Sequence, residues 1–134
     1  MEKKKIQQEI QIVYEEIIQL EQALIECEAF AADADNSEAD YYGLNLKFHR
    51  NIFEASGNPQ LQEMIEQVGM RLVYYFLTQH KIQGEVARSV REHRAIFEAI
   101  VAGDQDLART LMIEHCAFDR NMPLTVLNMT RRVD

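Results

Sequence analysis

An all-α fold, an antiparallel helical bundle of at least five helices, is what this sequence predicts. Apolar residues recur at alternating steps of three and four in each long segment, the period of one helix face. Each interruption of that rhythm carries its own capping or stop residue, and no stretch alternates over a useful strand length. With 134 residues, 47% of them apolar, and only five Gly and two Pro, the chain suffices for one core, so residues 1–134 are expected to form a single domain.

The first helix is drawn by Ile6, Ile10, Val13, Ile17, Leu20, Leu24 and Cys27, a heptad-like stripe. Tyr14, Ile18 and Ile25 widen that stripe, which suits packing onto a bundle, and the same face offers a homodimer contact. The segment FAADADNSEAD breaks the rhythm; Ser37 is the expected N-cap of a second helix, with Asp40 three residues on to complement its exposed amides. That helix points Tyr41, Asn45, Phe48, His49 and Ile52 inward and stops near Gly57, where a left-handed residue costs Gly nothing sterically. Asn58 then caps a third helix with Pro59 at its first position, running through Leu61, Met64, Ile65, Val68, Leu72, Tyr75 and Phe76 to the stretch QHKIQGE. A fourth carries Val86, Val90, His93, Phe97 and Ile100 on one face. Gly103 stops it, and Asp104 caps a fifth with Leu107, Ala108, Leu111, Met112 and His115. Pro123 ends the regular pattern, and the tail LTVLNMTRRVD has no assigned element.

Charge and composition exclude several classes. The net charge is −8, and residues 1–44 supply it all, with three Lys against eleven Asp or Glu; the remainder is balanced. Without a Lys/Arg stripe the chain makes a poor footprint for phosphate backbones, so no direct nucleic-acid binding by this chain alone is expected. No stretch approaches the roughly 20 apolar residues that span a bilayer, and MEKKKIQQEI lacks the apolar block of a signal peptide, which reads as a cytoplasmic protein without a membrane partner. Cys27 and Cys116 stand singly inside helical patterns and read as small buried hydrophobes.

Three of the four histidines, His49, His93 and His115, fall on the apolar faces of three different helices, and Asn45 lies one turn before His49. Buried imidazoles are costly unpaired, and bundles build metal sites from side chains on facing helices, so these four residues are the candidate ligands of a divalent ion. Hydrogen-bonded core histidines are the alternative. His80, among Thr78, Gln79 and Lys81, reads as solvated.

The segments NLKFHRNIFEASGNPQL and REHRAIFEAIVAGDQDLARTLMIEH, in this order, resemble the FCD domain, the C-terminal effector domain of FadR-type regulators in the GntR superfamily. The resemblance covers about residues 10–118. It implies an all-helical antiparallel bundle that senses a small organic acid, often at a divalent metal held by one Asp and three His. Carried over, His49, His93 and His115 match the three imidazoles, and Asn45 stands where the family usually has Asp. Zinc is the metal that three imidazoles favour, with nickel or another first-row ion as alternatives. The family's N-terminal winged-helix DNA-binding domain has no counterpart expected in these residues, nor does the full first helix of its effector domain.

The expected function is therefore a ligand-sensing regulatory domain of a GntR/FadR-type transcriptional regulator, not an enzyme, with Arg71 and Tyr75 as polar effector contacts. A metal-dependent hydrolase is the runner-up; Glu92 and Glu114 each precede a ligand and so turn away from its face, which leaves it without an obvious general base. A structural dimerisation module is the third reading.

Overall fold

The structure, a computed structural model, describes residues 1–36, 38–71 and 81–116, apart from the side chains of 38, 39 and 69–71. Among these residues there are five α-helices and no strand: α1 (Glu2–Ala32), α2 (Glu38–Ala55), α3 (Pro59–Arg71), α4 (Glu85–Val101) and α5 (Gln105–Cys116). The fold is the all-α bundle expected from the apolar period. Ser37, Leu72, Tyr75, Phe76, His80, Pro123 and the tail lie outside the described residues.

The breaks form where local chemistry places them. Gly57 and Gly103 have φ of 65° and 72°, the left-handed region that a side chain resists. The Asn58 side chain accepts from the Leu61 amide at 3.1 Å, and Asp104 accepts from the Leu107 amide at 3.1 Å, so each caps the helix expected of it. Between α1 and α2, Asp33 Oδ1 accepts from the Asp35 amide and Asn36 Nδ2 donates to the Phe30 carbonyl, closing the turn.

Pair contacts give the helix directions. Phe30 meets Tyr41, Cys27 Sγ reaches the Leu44 carbonyl and Glu26 pairs with Lys47, so numbers fall along α1 as they rise along α2: the two are antiparallel. Tyr41 bonds Ser89 and Phe48 stacks on His93, so α2 and α4 run the same way. A three-residue link turns the chain from α4 back along α5, against which it packs. The core joins Leu20, Ala23, Leu24 and Cys27 of α1 to Tyr41 and Phe48 of α2 and to Val90 and Phe97 of α4. The Arg94 guanidinium forks onto the Glu28 carboxylate across the α1–α4 seam, a geometry that fixes register as well as charge.

Three expectations are corrected. In α1 only the C-terminal half of the stripe is buried; Ile6, Ile10 and Val13 are exposed, and so are Tyr14, Ile18 and Ile25, which do not pack onto the bundle. In α3, Leu61, Met64 and Val68 are exposed among the described residues. Cys27 is buried as expected, with its thiol pushed up to about 12 by burial and then by Glu26 and Glu28. Cys116 is exposed, because α5 is a surface helix whose last turn presents that position to solvent.

Candidate metal centre

The three histidines converge because each occupies an inward position on a different helix. On α2, Tyr41, Asn45, Phe48, His49 and Ile52 share a face by their spacing, and burial of Tyr41 and Phe48 anchors it. On α4, Val90, His93 and Phe97 are buried at steps of three and four, and His93 is wholly enclosed. His115, in the last turn of α5, has a side chain only 9% exposed.

The ring nitrogens face a common point. His49 Nε2 and His93 Nε2 each stand 3.1 Å from His115 Nε2, and one ligand atom from each ring lies within 4.8 Å of the others. His93 stacks on Phe48 with centroids 4.2 Å apart, and His49 lies tilted against Phe53, so the rings have apolar walls. An imidazole nitrogen carries in its plane either one proton or one lone pair, and His115 Nε2 cannot make two straight hydrogen bonds. A cation at the common point accepts all the lone pairs. Donors on a tetrahedral zinc with bonds of about 2.0–2.1 Å stand about 3.3–3.4 Å apart, close to the contacts seen here.

Asn45 supports that fit. Its Oδ1 is buried and has no hydrogen-bond partner among the described residues. A buried acceptor left unmade costs on the order of 1–3 kcal/mol, and the amide oxygen is the atom an asparagine offers to a metal. Asn45 and His49, at i and i+4, are neighbours on the helix surface. The residues present therefore suit a first-row divalent ion. Cys116 is not in the cluster, which among the described residues consists of the three histidines.

Sequence reasoning missed Glu92. It does turn away from its neighbour His93, as the 100° step requires, but it is not merely solvated: its Oε2 accepts from Nδ1 of His115 on α5 at 2.5 Å. Adjacency along the chain gives the direction of a side chain and not the helix it reaches. Glu92 also borders an open cleft of about 300 Å³ between α4 and α5, lined by Arg88, Arg91, Leu111, Glu114 and His115 among others. Arg88 is held by Glu85 at 2.9 Å and lies 3.8 Å from Glu92. The side chain of Arg71, which ends α3, and all of Tyr75 lie outside the described residues.

The chain is thus a helical bundle with a metal-compatible trihistidine cluster between three of its helices. The FCD domain model matches residues 10–118, and the chain belongs to that family. FCD domains are effector-binding regulatory domains of GntR-type regulators, regulatory rather than catalytic. No curated protein and no solved structure matches the chain. No helix among the described residues is long and apolar enough to cross a membrane.

Proposed function

We propose that this chain is the ligand-sensing domain of a GntR/FadR-type transcriptional regulator and binds a small organic acid at a divalent metal, zinc foremost, held by Asn45, His49, His93 and His115. The observation that carries this reading is the convergence of three Nε2 atoms from α2, α4 and α5; Asn45, one turn before His49 on α2, adds a buried oxygen with no hydrogen-bond partner among the described residues. When bound, the metal supplies a Lewis-acidic cation with open positions. The protein ligands are all neutral, so a carboxylate that completes the coordination gains both a bond and Coulomb attraction. Arg71 and Tyr75 belong to the proposal as effector contacts.

Because the ligands sit on three helices, occupancy favours the arrangement in which those helices are docked, and it adds RT ln(1 + [L]/Kd) to stability, about 2.7 kcal/mol at 100 times Kd. A docked sensor is what a regulatory domain needs to pass on. The domain works in the cytoplasm as a homodimer: residues 2–15 of α1 are exposed and carry Ile6, Ile10 and Val13 in one stripe. Lys3, Lys4 and Lys5 at one end of that stripe and Glu15 and Glu16 at the other match only if two copies pair antiparallel. DNA contact belongs to a partner domain, since this chain carries −8.

The test is calorimetry with gluconate and lactate titrated into zinc-loaded and into chelated protein. The reading requires binding that depends on zinc. Equal binding to both forms overturns the proposed site.

A further inference from the structure

We propose that Glu92 is the positioning carboxylate of this centre: it holds His115 in the Nδ1-protonated tautomer, so that the Nε2 lone pair faces His49 and His93, and it supplies beside the ligands the negative charge that Asn45 does not. The second half rests on the metal reading above; the first stands without any metal.

The tautomer follows from the partners. An ionised carboxylate only accepts, so at 2.5 Å from Glu92 Oε2 the His115 Nδ1 must donate. A neutral ring with its proton on Nδ1 has its lone pair on Nε2, the atom 3.1 Å from both other histidines. Without an acceptor at Nδ1, the proton is free to sit on Nε2 and point into the centre, where it blocks coordination. Metal-bound histidines are held in just this way by an outer carboxylate or carbonyl, which also raises their basicity.

Glu92 is itself held. Its second oxygen lies 3.8 Å from Arg88 Nε, one turn back on α4, and Arg88 is pinned to Glu85 at 2.9 Å. The Glu92 side chain is 34% exposed, so its charge avoids the full cost of burial while still touching the ring. Charge completes the argument. Three imidazoles and an amide leave a divalent ion at +2, and one adjacent carboxylate brings the local sum to +1, which still favours an organic anion but lessens the cost of enclosing the ion.

The substitutions separate the two roles. In Glu92→Gln the amide oxygen still accepts from Nδ1, so the tautomer is kept and the charge is lost; in Glu92→Ala both are lost. Glu85→Gln alters the same surface network without touching His115. Long-range proton–nitrogen NMR of the metal-free protein reads the His115 tautomer directly. It is expected to show Nδ1–H in wild type, Glu85→Gln and Glu92→Gln, and a shift toward Nε2–H in Glu92→Ala. Zinc titration is expected to show roughly 10- to 100-fold weaker binding for Glu92→Ala, a smaller loss for Glu92→Gln, and a change within about twofold for Glu85→Gln. An unchanged tautomer in Glu92→Ala overturns the positioning role, and zinc affinity unchanged in both Glu92 variants overturns the charge role. A wild type that binds no zinc defeats the metal reading while the tautomer experiment still decides this one.

Discussion

Asn45 is where this chain departs from the pattern it otherwise follows, and the departure has a definite electrostatic sign. Asn45→Asp adds a negative charge beside His49, so zinc binding should tighten by roughly tenfold or more, and the added affinity for a carboxylate should shrink, because the ion is then partly neutralised. Paired zinc and gluconate titrations of wild type and variant check both directions; a variant that gains affinity for both contradicts the charge argument. Cys27 gives a second residue-scale prediction. Its thiol, lifted from 9.0 to about 12 chiefly by burial, stays protonated in the fold after the unfolded chain has begun to ionise. Its contribution to stability is therefore complete below pH 9 and is lost as pH rises toward 12. The urea midpoint of wild type should fall more between pH 8 and pH 10.5 than that of Cys27→Ala. The convergence of the three histidines was legible in the sequence because their spacing puts them on apolar helix faces. Glu92 was not, since its role depends on where α5 lies beside α4.

At the scale of elements, the helix boundaries were readable because caps are local. Asn58, Asp104, Gly57 and Gly103 act within a few residues of their own positions, and the chain stops and starts where they stand. Asp104→Ala should cost about 1 kcal/mol by urea denaturation. The partitioning of α1 was not readable. Its stripe is continuous from Ile6 to Cys27, yet Leu20, Leu24 and Cys27 lie in the core while Ile6, Ile10 and Val13 face outward. Periodicity defines a face and says nothing of how far along it the neighbouring helices extend. The same reason explains Cys116, placed at a helical position that the packing of α5 leaves at the surface.

For the whole molecule, the bundle brings three distant stretches of chain to one point, and the N-terminal half of α1 is exposed, the surface on which the proposed pairing of two copies rests. Ile10→Glu puts a charge in the middle of that stripe, and should shift the protein from dimer to monomer in sedimentation velocity while leaving its helical circular dichroism unchanged. A wild type that is monomeric at high micromolar concentration contradicts the pairing. The central claim is that the convergence of His49, His93 and His115 exists to hold a metal. It is tested most directly by titrating zinc into metal-free protein, wild type beside His93→Ala, with calorimetry and metal content after dialysis as readouts. The account predicts one zinc per chain in wild type and its loss in His93→Ala. Wild type that retains no zinc, or a His93→Ala variant that retains as much as wild type, contradicts it.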